Sequence, residues 1–399
     1  MTFEPPRTAP HAVASHALAG IRVVDFSWVM AGPLATKMLA AMGAEVIKIE
    51  SATRPEHVKR YGWSSILNAG KLSCTINLAM PEGQVLLRRL LGVSDILVEN
   101  FSAGVLTKYG LGYEALRSVQ PDLIYVSASG VGREGPQRDA LAYGTLLQAY
   151  SGRAGMIAEP NPQLEAMGIL PAWTDPVTAM WECCAILAAI RHRRRTGEGA
   201  FIDLSMLEST VALLPESLLR EELGSGGHAP GGNLDPDAAP GGCFRCAGDD
   251  AWLVLSVRED AEWAALCVAM QRADLAGDPR FHDQPARHAN RAAAEDIVAT
   301  WLRTQPAAET EQRLQGLGVP AARSRHVAEI VADPQFDGLF PVLEDGARTI
   351  ALPWADGAGW RGTLRPAPEL GTDNDYVFRT LLGLGSGEIE RLTGAGVLR

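Results

Sequence analysis

The sequence predicts an α/β protein with a doubly wound parallel sheet, and three features lead there. The first is a strand–loop–helix–strand unit: an apolar strand at Ile21–Phe26, a loop at Ser27–Pro33, a helix over Leu34–Met42 and a second strand at Val46–Ile49. The second is the make-up of the strands, which are unbroken apolar runs rather than alternating ones. Such runs suit strands covered on both faces. The third is repetition. Strands at Ser73–Leu78, Ile96–Glu99 and Leu123–Ser127 alternate with helical stretches at Pro81–Leu91 and Tyr113–Val119.

Each element has local chemistry behind it. Pro33 presets the backbone for the first helix and Gly43 stops it. In open α/β sheets ligands bind beyond the carboxyl ends of the strands. The loops Trp28–Pro33, Asn100–Lys108 and Ser127–Pro136 are therefore expected to converge on one site.

Past the first sheet, the stretch Gly224–Gly242 is rich in Gly and Pro and marks a boundary or a mobile loop. A second region follows, with a strand at Trp252–Val257 and helices at Asp260–Gln271, Asn290–Thr304 and Ala308–Leu317. The C-terminus reads as two short helices, Asp375–Leu384 and Ser386–Ala395. The expected division is a large domain over 1–222, a smaller one over 223–335, and a segment 336–399 that returns to the first.

Composition narrows the function. The chain of 399 residues is 47% hydrophobic and 21% charged, an enzyme-like balance with room for two domains. Its net charge of −11 argues against general nucleic-acid binding, though not against a local basic pocket. No apolar run reaches the ~20 residues of a membrane span, and the N-terminal stretch lacks the pattern of a signal peptide. Six cysteines scattered in apolar runs fit a reduced, cytoplasmic protein. Cys243 and Cys246 form one isolated pair, short of the four ligands of a structural zinc site, so no metal is expected.

The central stretch is Gly168–Leu204. Asp175-Pro176 is followed by a long apolar run from Val177 to about His192, a basic cluster, Thr196-Gly197, and an alternating strand at Ala200–Leu204. Asp at the N-cap and Pro at the first helical position start a helix; basic residues and then Gly end one. The helix is apolar almost all round and is expected to be buried, Trp181 included. Asp175 is then either an ordinary cap or a carboxylate nucleophile at the positive end of a helix. Rival chemistries lack their motifs. Gly130-x-Gly132-x-x-Gly135 is followed by Pro136-Gln-Arg-Asp rather than a helix, which removes the dinucleotide reading. No Gly-x-Ser-x-Gly elbow, phosphate loop or His-Glu-x-x-His is present.

Several segments together resemble the class III CoA-transferases (CaiB/BaiF), the group of formyl-CoA transferase and carnitine CoA-transferase, with α-methylacyl-CoA racemase as a relative. They are LAGIRVVDFSWVMAGPLATKMLAAMGAEVIKIE (18–50), GKLSCTINLAMPEG (70–83), SDILVENFSAGVLTKYGLGYEAL (94–116), PDLIYVSASGVGREGP (121–136) and DPVTAMWECCAILAAIRHRRRTGEGAFIDLSMLE (175–208), with shorter ones at 246–267, 318–324 and 367–374. The resemblance runs nearly end to end in family order. It implies a large Rossmann-like parallel-sheet domain, a smaller α/β domain, and an interlocked homodimer. It also implies transfer of CoA from an acyl-CoA to a free carboxylic acid, with coenzyme A as part of the substrate, no metal, and neither membrane nor nucleic acid as partner.

By position, the resemblance makes Asp175 the nucleophile, passing through a mixed anhydride and an aspartyl-CoA thioester. It places Trp28, Val29, Met30 and Ala31 of the first loop, with Asn100, Phe101, Val105 and Lys108, in the CoA site. Lys108 suits a CoA phosphate as a point charge. Three positions depart from the family pattern. Ser51 stands where some members carry Arg, for which Arg54 is a substitute. Pro240-Gly241-Gly242 replaces Pro-His-Gly, and the Gly-rich closing loop has only a rough counterpart at Gly224–Gly232. Two other readings remain, a racemase or isomerase of the same family and a non-catalytic CoA-binding protein. The first lacks a base, because Tyr143 occupies the position of its His. Trp28, Met30, Tyr143, Met167 and Trp173 are candidates for the acyl pocket, and their bulk favours a medium or aromatic acyl group.

Overall fold

The computed structural model describes residues 16–52, 63–102, 104–140, 142–156, 172–224, 235 and 237–399. Arg54, Met167 and residues 225–232 of the Gly-rich stretch lie outside them. The chain divides into two compact units: Met1–Arg153, Ile169–Leu218 and Gln335–Arg399 in one, and Ala154–Gly168 and Leu219–Pro334 in the other.

The first unit holds a six-stranded parallel sheet of β1 (Arg22–Asp25), β2 (Glu45–Glu50), β3 (Leu72–Thr75), β4 (Ile96–Glu99), β5 (Ile124–Ser129) and β6 (Ala200–Ser205), in the order β3-β2-β1-β4-β5-β6. The order reverses between β1 and β4, so a crevice opens at their carboxyl ends. Both faces are covered. Val24, Ile47 and Leu97 pack into one core with Leu86, Leu87 and Leu90, whereas Val23, Val46 and Val98 pack into the other with Leu39, Ile186 and Ile190. The unbroken apolar strands are the imprint of those two cores. The edge strand β6 alternates in burial, as read from the sequence.

Residues near the C-terminus lock onto the far edge of this sheet. Asp373 accepts from the Ser73 N–H, Asn374 accepts from the Thr75 N–H, and Val377, Phe378 and Leu382 enter the core.

The second unit carries a three-stranded antiparallel sheet: β7 (Gly241–Arg245), β8 (Trp252–Ser256) and β9 (Ala321–Arg323). Helices Asp260–Met270, Arg291–Leu302 and Ala307–Gly316 supply Trp263, Leu266, Val298, Leu302 and Leu314 to its core. Cys243 and Cys246 are free thiols here. Among the described residues, no cluster of His, Cys, Asp and Glu could hold a metal ion, and no helix is long and apolar enough to cross a membrane.

Two sequence expectations need correction. The first helix runs from Ala31 to Ala41, so Pro33 lies within its first turn rather than opening it. The long helix runs from Thr174 to Thr196, with Gly197 closing it at a φ of 77°. It is not buried all round. Ile186, Ala189 and Ile190 face the sheet, while Met180 (53%) and Trp181 (45%) are exposed. The reason is geometric: one side of this helix covers the sheet and the first helix, and nothing described covers the other.

Candidate active site

The loop after β1 and the start of β4's loop are tied together by one amide. Asn100 accepts from the Trp28 N–H at 2.7 Å and donates to the Trp28 carbonyl at 2.7 Å. Phe101 packs its ring against Trp28 at 6.1 Å and Phe26 at 6.5 Å. The loop between them is strained, since Val29 is held at a φ of 68° and is 58% exposed. A β-branched residue in that region is uncommon, and such outliers gather at binding sites.

That loop delivers the first helix with its N-terminus open. Met30 offers no side-chain cap, so the leading N–H groups need a partner. The carboxylate of Asp175 is that partner for the buried Ala31 N–H. An anion at a helix N-terminus is favoured by the unpaired N–H groups and the helix dipole. Burial nonetheless pushes the Asp175 carboxyl up to about 6, against the opposing hydrogen bonds from its own N–H and that of Ala31. At neutral pH it is mostly ionised and poorly solvated, which is the state a carboxylate nucleophile needs.

Asp175 is not the N-cap that the sequence suggests. The helix begins two residues before Pro176, at Thr174, and Trp173 takes the cap position without a side-chain bond. The cause is tertiary: the Thr174 hydroxyl donates to the Gly144 carbonyl at 2.8 Å and holds the first turn there. The Asp175 carboxylate therefore accepts from its own N–H and also reaches the N-terminus of the first helix.

Gly144 makes room for this. A Cβ at that position would lie 2.0 Å from Oδ2 of Asp175 and 2.7 Å from Oγ1 of Thr174. The residue escaped the sequence reading, where only its neighbour Tyr143 drew notice.

Beneath the loop lies a charged network. Lys71 donates to Asp25 at 2.9 Å with both side chains fully buried. Thr36 and Ser27 also donate to Asp25, and Lys48 donates to the Ser27 carbonyl. Burial alone would raise Asp25, but Lys71, Lys48 and the two hydroxyls together pull it below the usual carboxylate value. This network fixes the loop that carries Trp28 to Ala31. On the other side Arg133 bridges Glu99 (2.7 Å) and Ser127 (2.7 Å), so the three expected loops do converge.

Of the sequence-selected residues, Trp28, Ala31, Asn100, Phe101 and Asp175 are brought together through these contacts. Val29 and Met30 share the loop. Val105 and Lys108 lie on the short helix Val105–Lys108 that follows Asn100-Phe101, with Lys108 exposed at its end.

The description "CoA-transferase family III" matches residues 18–374. The chain belongs to this family. It is an enzyme of the family III CoA-transferase class, whose members use CoA thioesters as substrates. It is 30% identical over 403 residues to the succinyl-CoA–D-citramalate CoA-transferase of Chloroflexus aurantiacus, covering 96% of this chain and 98% of that one. It is 33% identical over 405 residues to the succinate–glutarate CoA-transferase of Agrobacterium fabrum, covering 96% and 98%. Among solved structures, a CaiB/BaiF family protein from Brucella suis superposes with a TM-score of 0.85 at 28% identity, over 92% of this chain and 99% of that one.

Proposed function

We propose that the protein moves CoA from an acyl-CoA to a free carboxylic acid through covalent intermediates on Asp175. The observation that carries this reading is the Asp175 carboxylate itself, poorly solvated, held by the Ala31 N–H at one helix terminus while standing in the first turn of another. A nucleophile that forms covalent intermediates divides one hard exchange into easier steps. The Asp175 carboxylate adds to the thioester carbonyl of the donor, and the C–S bond breaks to leave a mixed anhydride and CoA thiolate. The thiolate adds to the aspartyl carbonyl, expelling the donor's carboxylate and leaving an aspartyl-CoA thioester. The acceptor carboxylate then displaces the thiolate to form a second anhydride. Attack of the thiolate on the acceptor's carbonyl yields the new acyl-CoA and frees Asp175. Every bond broken is matched by one formed, and no redox partner is required.

CoA would lie along Trp28 to Ala31, Asn100 and Phe101, with Lys108 meeting a phosphate. Replacing Lys108 by Ala should raise the KM for acyl-CoA more than it lowers kcat, because such a contact is equal in ground and transition states. A fall in kcat with an unmoved KM would contradict this placement.

The residues flanking the groups that touch Asp175 are apolar and open: Val29, Tyr143 (67% exposed) and Trp173 (51% exposed). They support an acyl group with an apolar or aromatic body. A panel of acyl-CoA donors and free acids, with products read by mass spectrometry, tests both claims. Exchange confined to apolar acids is the expected result. Exchange of dicarboxylates alone would overturn the acyl assignment, and no exchange at all would overturn the function.

The exposed side of the long helix, with Met180 and Trp181, supports a homodimer in which a second copy covers it. Light scattering should give twice the 42.6 kDa chain mass. An active monomer at nanomolar concentration would contradict it.

A further inference from the structure

Glu182 lies in the middle of the long helix and has no exposed surface. Among the described residues neither of its carboxyl oxygens has a hydrogen-bond partner, and neither does the hydroxyl of the equally buried Thr178. Buried polar atoms are almost always satisfied, so three orphans on adjacent turns mark a place where something polar belongs. Water bridging such groups is the ordinary solution. Asp175, Thr178 and Glu182 are spaced three and four residues apart and so follow one face of the helix. That face runs from the nucleophile down toward the Asp25–Lys71 network.

We propose that Glu182 is a positioning residue for Asp175. As a neutral carboxylic acid, it joins Thr178 and internal water in a hydrogen-bonded link that fixes the end of the helix carrying the nucleophile. The inference rests on Asp175 being the nucleophile.

The surroundings require the neutral form. Burial first, and then the charges of Asp25 and Glu99, push Glu182 up to about 8, with Lys71 opposing. Lys71 is engaged with Asp25, and Arg133 with Glu99. The other titratable groups on the packed elements include Lys48 under the loop, Lys37 on the first helix, Tyr125 on β5, Cys183 and Cys184 on the same helix, and the acids Asp203 on β6 and Glu208 on the helix Met206–Val211. Lys48 and Lys37 donate to the carbonyls of Ser27 and Ile350. Tyr125 and Cys183 are held neutral by burial. None supplies a counter-charge to Glu182. Above about pH 8 the proton leaves, and a third carboxylate appears beside Asp25 and Glu99.

The test compares Glu182→Gln and Glu182→Leu in the full-length enzyme. Glu182→Gln keeps a neutral hydrogen-bonding group, so kcat at pH 7 should be retained while the wild-type loss of kcat above pH 8 disappears. Glu182→Leu should lose roughly tenfold in kcat, as expected of a slightly displaced nucleophile, with the KM for acyl-CoA unchanged. An infrared band of a protonated buried carboxyl should be present in the wild type and absent from Glu182→Gln. An unchanged alkaline limb in Glu182→Gln overturns the proposal, whether or not Glu182→Leu folds. Hydroxylamine trapping at Asp175 separates the two readings. If trapping fails in the wild type, the nucleophile is wrong. If it is equally efficient in wild type and Glu182→Leu, only the positioning role is wrong.

Discussion

Asp175→Asn should abolish CoA exchange, by at least roughly 10³-fold in kcat, while leaving the protein folded. The amide cannot form the anhydride, so the covalent route closes. A thousandfold loss is about 4 kcal/mol of transition-state stabilisation, well beyond what a lost surface contact would cost. The stability side separates this from a packing defect. The folded carboxyl titrates near 6, above its ordinary value of 3.8. A carboxyl raised in this way binds more protons folded than unfolded between those values. Its ionisation then costs the fold stability as pH rises through that window, and the cost is in full force at pH 7. The neutral amide removes it, and the helix loses no N-cap, because Trp173 holds that position. Asp175→Asn should therefore melt at or above the wild-type temperature at pH 7. In the wild type, kcat should fall on acidification with an apparent pKa near 6, as the nucleophile takes a proton.

Gly144→Ala should be the second most damaging change, lowering kcat by about 10²-fold at a modest cost in stability. The added methyl meets Oδ2 of Asp175 at 2.0 Å and Oγ1 of Thr174 at 2.7 Å. The nearest obstacle is the end of the Asp175 side chain, which turns aside, while Oγ1 of Thr174 and, at 3.0 Å, Cβ of Ala172 must also give way. Turned aside, the carboxylate leaves the Ala31 N–H and the line of attack. Circular dichroism should match wild type, the melting temperature should fall only modestly, and the KM for acyl-CoA should hold. A Gly144→Ala enzyme with normal kcat would mean that the carboxylate works from a different rotamer.

Much of this was legible in the chain. The parallel sheet followed from strands read at Ile21–Phe26 and Ile96–Glu99, whose largely apolar runs suit burial on both faces. Asp175-Pro176 before a long apolar run marked a helix start, and the start lies two residues away, at Thr174. What the sequence could not show was tertiary. Thr174 begins the helix because its hydroxyl meets the Gly144 carbonyl, thirty residues upstream. The open side of the long helix was hidden because Met180 and Trp181 are as apolar as the buried Ile186, and composition does not say which side is covered. Lys71 and Asp25 stand at the edges of apolar runs, but nothing local pairs them. Glu182 was visible as a lone charge inside an apolar helix. That was the one signal in plain view that pointed below the site.

The most direct test of the central claim is chemical trapping. The enzyme is incubated with acyl-CoA, quenched with hydroxylamine, digested, and searched by peptide mass spectrometry. The account predicts a hydroxamate on Asp175 that depends on acyl-CoA and is absent from Asp175→Asn. Active enzyme that yields no modified Asp175, or carries the hydroxamate on another residue, would contradict it.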